Sequence, residues 1–184
     1  NDTVLGLVES ALNSSREFAS QHDLVSIPDI HTDVIEMPEI HRGVAVAYCD
    51  APGPLEKANV PTFVAVAPTP TSWSVERQES FYREYNAVQI HDLTIHEAFP
   101  GHVLQLALSR QGANQSVVRR FGMSGVFVEG WAVYSEEFMI EAGYSPEPGR
   151  MSQLAIRLQQ LKMQARMTIN TILDISVHSK DMSE

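Results

Sequence analysis

His96-Glu97-Ala98-Phe99-Pro100-Gly101-His102 is the stretch from which the rest of the chain is best read. Two histidines flank a glutamate, the residue types that bind zinc and carry the proton of an activated water. On an uninterrupted metal-binding helix such histidines stand at i and i+4, about 40° apart around the axis, with the glutamate at i+1. Here position 100 is proline. His96 and His102, six residues apart, would point about 120° away from each other on a straight helix and could not share one ion. Pro100 lacks the amide that would bond the carbonyl of residue 96, and Gly101 reaches backbone angles closed to other residues. The pair therefore predicts a kink or bulge that returns His102 to the face of His96.

The motif lies inside a helical pattern. Apolar residues recur at helical spacing from Val75 to Phe99, from about Val103 to Gln111, from Val126 to Glu141 and from Met151 to about Val177. An earlier amphipathic helix runs from Thr3 to about Ala19, on Val4, Leu7, Val8, Ala11, Leu12 and Phe18. Residues 22–41, with Pro28, Pro38 and scattered acids, read as extended or irregular chain. Two β-rich runs, 43–48 and 62–67, flank the Pro/Gly connection at 51–55 and are expected to pair in a small antiparallel sheet. No repeat or linker divides the chain. The expectation is a single α+β domain over residues 1–184, predominantly helical.

Composition narrows the partners. The 23 acidic and 13 basic residues leave a net charge of −10, which repels phosphate backbones and anionic headgroups. Nucleic acid and membrane surfaces are accordingly set aside. The longest apolar run, 44–49, is far shorter than the ~20 residues of a membrane span, so the chain as given reads as soluble, without membrane insertion. It opens on Asn1 rather than Met, which fits removal of a leader or an upstream domain and leaves the compartment open, cytoplasmic or exported after processing. The lone Cys49 reads as a small buried hydrophobe. His22, His31, His41 and His91 lack the context of the motif and read as surface or locally satisfied histidines.

The motif resembles the His-Glu-x-x-Pro-Gly-His signature of a family regarded as zinc metallopeptidases and catalogued as domain of unknown function 885. Tyr85-Asn86, Gln105, the run Glu129-Gly130-Trp131-Ala132-Val133-Tyr134-Ser135-Glu136, and Asp174 with His178 look like that family's landmarks in the right order. The resemblance implies a zincin-like, largely helical core with a thermolysin-like site holding one Zn2+ and acting on peptides. In it His96, His102 and Glu129 are the metal ligands and Glu97 is the general base. A carboxylate from a second helix also completes the three-ligand set of a catalytic zinc on chemical grounds.

Glu136, seven residues after Glu129 and about 20° away on the same helix face, is assigned to receive the outer N–H of a ligand histidine. Tyr134 lies about 140° round the helix from Glu129. It and Trp131 are expected to pack more than react, with Tyr134 retained as a lesser oxyanion candidate. His178, four residues after Asp174, is by resemblance the first choice to stabilise the oxyanion or donate a proton; a helix-end histidine favoured by the dipole is the plainer reading. The expected reaction has zinc polarise the scissile carbonyl and acidify water toward ~7. Glu97 accepts the water proton and passes it to the leaving amine.

This chain departs from the family pattern at Asn170, where an arginine is expected, with Arg166 one turn earlier. Family members are also several hundred residues long, so the resemblance implies a partial domain from a longer chain. The resemblance also implies a downstream segment with Arg-Tyr and Pro-Gly-Gln-Ala, beyond residue 184. Zinc-water chemistry does not by itself choose the substrate, so another amide or ester hydrolase, or a silent metal-binding fragment, stand as alternatives. A helix-rich chain without its neighbours is also expected to expose apolar surface and self-associate as a homo-oligomer.

Overall fold

The computed structural model describes residues 2–43, 45–56, 60–112 and 116–179. Seven α-helices and three strands follow one another among these residues: α1 (Asp2–Gln21), β1 (Thr32–Glu36), β2 (Ala47–Asp50), β3 (Thr62–Val66), α2 (Val75–Glu84), α3 (Ala87–Glu97), α4 (His102–Gln111), α5 (Val117–Phe121), α6 (Gly125–Glu141) and α7 (Arg150–Ser179). The α+β, mainly helical expectation holds. None of these helices is long and apolar enough to cross a membrane.

The sheet is mixed rather than purely antiparallel, in the order β1-β3-β2. β2 lies at Ala47–Asp50 rather than over the expected 43–48, and it pairs antiparallel with β3 as expected, in the register Ala47↔Val66 to Asp50↔Phe63. β1, from the stretch read as irregular, pairs parallel with β3, Thr32↔Thr62 to Glu36↔Val66. Its five residues, Thr-Asp-Val-Ile-Glu, are too short and too acidic to signal a strand alone, and only β3 supplies the ladder that makes them one.

The long helical pattern from Val75 to Phe99 is two helices. Asn86 caps the second, its side-chain oxygen accepting the amides of Val88 and Gln89, both at 3.1 Å. Tyr85 takes φ −92° and ψ 56° between them. Apolar periodicity survives the break because both helices face the same core.

Two apolar clusters hold the layers together. Val8 and Leu12 of α1, Val64 and Val66 of β3, Ile90 of α3, and Val103 and Leu104 of α4 form the first, with Phe99 fully buried among them. Ala19, Ile95, Met139, Tyr144 and Ile156 form the second, joining α1, α3, α6 and α7. Helix α3 belongs to both and is the axis on which the site is mounted. Arg157–Glu137 (3.3 Å) and Lys162–Glu84 (3.0 Å) tie α7 to α6 and α2. Beyond Gln160, α7 leaves the core, and Ile169, Ile172 and Leu173 are exposed.

Candidate metal centre

The segment between α3 and α4 is an elbow, more abrupt than a kink. Helix α3 closes at Ala98 (φ −117°, ψ −93°), the Phe99–Pro100 peptide is cis, and α4 begins at His102. The Gly101 amide donates to the Ile95 carbonyl at 3.0 Å. A Cβ on Gly101 would lie 1.9 Å from the His96 carbonyl oxygen and 2.4 Å from that of Ile95, so nothing larger than glycine fits. Phe99 anchors the turn in the core, a burial that stabilises by about 2–3 kcal/mol. From the other side the Trp131 indole N–H of α6 donates to the Pro100 carbonyl at 2.8 Å. Trp131 is thus a packing residue that also fastens the elbow.

The consequence is that both histidines face one carboxylate. His96 Nε2 and His102 Nε2 lie 3.6 and 3.7 Å from Glu129 Oε2, and the two rings stand 4.8 Å apart at 89°. Ligand atoms of His96, His102 and Glu129 all fall within 4.8 Å of one another. Two donors each about 2.1 Å from a tetrahedral ion are about 3.4 Å apart. The two distances to Glu129 are near that value, and two imidazoles with one carboxylate are a donor set that suits a divalent ion such as Zn2+.

Glu136 accepts from His96 Nδ1 at 2.7 Å. That holds a proton on Nδ1 and aims Nε2 toward Glu129 and His102, so that Nε2 is the atom that would ligate an ion once its own proton leaves. The matching atom on the other ring, His102 Nδ1, is buried with no partner among the described residues. Glu136→Gln is expected to lower zinc affinity about 10- to 100-fold, measured by competition with a chelator. An unchanged affinity would show that His96 needs no such support.

Without an ion, charge in the cluster is arranged around one proton. Burial lowers the His96 pKa, yet its hydrogen bonds to Glu129 and Glu136 and the nearby Glu97 outweigh burial and push it up to about 10. Burial, then the charge of His96, takes His102 down to about 4. The hydrogen bond from His96 holds Glu129 below the usual carboxylate range. A divalent cation would take the place of that proton.

Glu97 lies beside the cluster, almost fully buried. Burial raises its carboxyl to about 7, partly offset by His96 and by a hydrogen bond from the Cys49 backbone. Its neighbour Cys49 packs against the first apolar cluster, with a thiol pushed up to about 12 by burial, an inert side chain as expected.

Glu97 also lines a cleft of about 880 Å³, walled by the β2 side of the sheet at Ala45, Val46 and Ala47 and by Met163 and Arg166 of α7. Residues 62–66 are not an edge of the sheet. They form the central strand, paired on both sides, and β2 is the edge that faces the cleft. The Ala67 amide bonds the Val46 carbonyl, which by antiparallel alternation directs the polar groups of Ala47 and Cys49 outward.

The structure does not bring the two oxyanion candidates to this cluster. Tyr134 is 53% exposed and stacks on Phe138, on the side of α6 away from Glu129 and Glu136. His178 pairs with Asp174 at 3.4 Å, both about three-quarters exposed, roughly 18 Å further along α7 than Arg166. Spacing alone sets neither where α7 leaves the core nor what covers its last turns. Glu137 meets Arg157, leaving Glu136 as the inward acid. The four remaining histidines are engaged locally: His22 with the Phe18 carbonyl, His31 with Asp33, His41 against Tyr48, and His91 with the Tyr144 hydroxyl.

One residue near the site went unread. Asp92, one turn before His96 on the same face of α3, is 1% exposed and accepts from Gln89 at 3.3 Å. Burial and the nearby Glu136 raise its carboxyl to about 8. Its position at i−4 from a ligand histidine was the available signal. A folded-state pKa above the unfolded value contributes stability that is present below about 4 and lost as pH rises through about 8. The stability difference between the metal-free native chain and Asp92→Asn, from thermal melts, should therefore shift in favour of the variant across that window. A pH-independent difference would refute the buried protonated carboxyl.

The helix-rich α+β scaffold gathers two imidazoles and a carboxylate, on a helix–elbow–helix and a neighbouring helix, into a group that could hold a metal ion. The chain belongs to the family described as bacterial protein of unknown function (DUF885), whose model matches residues 1–184. No curated protein matches it. Among solved structures it is similar to "a putative lipoprotein of unknown function" from Shewanella oneidensis, at 35% identity and a TM-score of 0.77, covering 99% of this chain and 31% of that one. It shares its fold with "the putative lipoprotein" from Colwellia psychrerythraea, at 20% identity and a TM-score of 0.71, covering 95% and 28%. The chain thus spans less than a third of the length of these structures. The likeness to the Shewanella lipoprotein overturns the expectation by which membranes were set aside. A lipoprotein is held by attached acyl chains, to which neither surface charge nor the lack of an apolar span is relevant.

Proposed function

We propose that this chain carries the catalytic centre of a zinc-dependent peptidase, residues 1–184 forming part of a single metallopeptidase-like domain. The observation that supports this most is the convergence of His96, His102 and Glu129 beside Glu97 at the wall of an open cleft. In this reading His96, His102 and Glu129 hold the ion and Glu136 keeps His96 in the ligating tautomer. When bound, zinc polarises a carbonyl oxygen and acidifies water toward ~7. Glu97 takes the proton of the attacking water on its carboxylate and delivers it to the leaving amine, roles that a pKa near neutrality suits. The outward edge of β2 aligns an extended backbone along the cleft. Tyr134 and His178 have no part in it. Likeness to the Shewanella protein supports an exported and lipid-anchored whole protein.

The test is metal content and turnover together. The purified protein is expected to hold one zinc per chain and to cleave peptides, with activity lost to a chelator and restored by zinc. Zinc with ester but no peptide cleavage would move the reading to an esterase, and no zinc binding would overturn it.

A further inference from the structure

Two cations line the cleft, and they differ in how they are held. Arg42 is spent on the protein itself: its guanidinium meets Glu36 at 2.7 Å and the Met37 carbonyl at 2.9 Å. Arg166 of α7 has no carboxylate partner among the described residues. Its Nη1 donates to the Tyr85 hydroxyl at 3.2 Å, and Tyr85, placed by the break between α2 and α3, lines the same cleft. That bond and the nearby Glu84 keep Arg166 charged. Asn170, one turn further along α7, also lines the cleft and offers an amide beside the guanidinium. The other charged residues of the cleft wall are acids: Glu36, Glu39 and Glu97. An arginine oriented by a tyrosine, with its remaining N–H groups unspent in an acidic cleft, has the features of a carboxylate receptor.

We propose that Arg166, oriented by Tyr85, receives a carboxylate of the substrate, so that the site selects peptides carrying a free C-terminal carboxyl or an acidic side chain near the cleaved bond. This rests on the peptidase reading, and it assigns a specificity residue that the ligand set does not require. The selection is made by charge. Arg42 is neutralised by Glu36, and Glu39 disfavours an acid beside it, so the carboxylate is directed to α7 and the peptide's register is set from that end.

The test compares three probes on the zinc-loaded protein: acetyl-Ala-Ala-Ala, its C-terminal amide, and acetyl-Ala-Ala-Asp-amide. Binding is followed by the fluorescence of Trp73 in the cleft wall, using a Glu97→Gln background so that no probe is consumed. The native Arg166 protein is expected to prefer the free acid over the amide about tenfold, the scale of one charge-assisted hydrogen bond. Arg166→Ala should bind the two alike, Arg166→Lys should keep part of the preference, and Tyr85→Phe should weaken it. Preference for the aspartyl amide over the trialanine amide would place the carboxylate on a side chain, whereas preference confined to the free acid would place it at the C-terminus. Equal binding of all three probes by native Arg166, or a preference that survives Arg166→Ala, overturns the proposal. Zinc content of these samples, and cleavage by the matched proteins that keep Glu97, separate it from the parent reading. A zinc-loaded, active protein blind to the carboxylate refutes Arg166 alone, and one without zinc refutes the peptidase.

Discussion

Glu97→Gln is expected to keep one zinc per chain while kcat for peptide cleavage falls by about 10³-fold. The substitution preserves shape and removes the basic site. Glu97 is not among the three residues whose donor atoms converge, so the ligand set should survive. Burial already raises the carboxyl to about 7, so an amide is tolerated there electrostatically. The fold should melt at or above the native temperature. The measurement is paired metal analysis and steady-state kinetics. Loss of zinc would mean that Glu97 belongs to the ligand set, and retention of both zinc and activity would remove it from the mechanism.

Gly101→Ala should disrupt the structure strongly for a single added methyl group. The added carbon would meet the His96 carbonyl at 1.9 Å and that of Ile95 at 2.4 Å, both backbone atoms that cannot rotate away. Relief requires moving α4 relative to α3, which takes His102 from the cluster and strains the core around Phe99 and Val103. Overpacking costs about 1–3 kcal/mol in cores, and a clash with backbone belongs at the top of that range. A loss of about 3 kcal/mol lowers Tm by roughly 10 °C in a chain of this size. Zinc affinity should fall with it. Gly130→Ala is the control: a Cβ there meets nothing within 4 Å and fills a helix interior, so Tm and zinc should be kept. Equal behaviour of the two variants would show that the elbow tolerates a side chain.

Much of the site was legible because its chemistry is local. His96, Glu97, Pro100, Gly101 and His102 are close in sequence, and their residue types allow few geometries that put both histidines on one ion. Glu129 and Glu136 were legible as a pair because one helix face carries both, seven residues apart. The long helices were legible for the same reason, each having a repeated apolar period. What escaped was set by neighbours distant in sequence. β1 became a strand because β3 stood beside it. The break at Tyr85-Asn86 was hidden because two helices that face one core continue one period. Tyr134 and His178 were candidates by residue type until the packing of α6 and the course of α7 placed them in solvent.

By itself, the sequence determined the helical character of the chain, the elbow at Pro100-Gly101 and the identity of the donor atoms, since these follow from side-chain chemistry and short-range sterics. Only the tertiary structure decided that the donors converge, that β2 is an edge while β3 is the central strand, and that Arg166 lines the cleft while His178 does not. Those outcomes depend on how α3 is gripped between two apolar clusters, an arrangement of contacts far apart in the chain that no local pattern encodes.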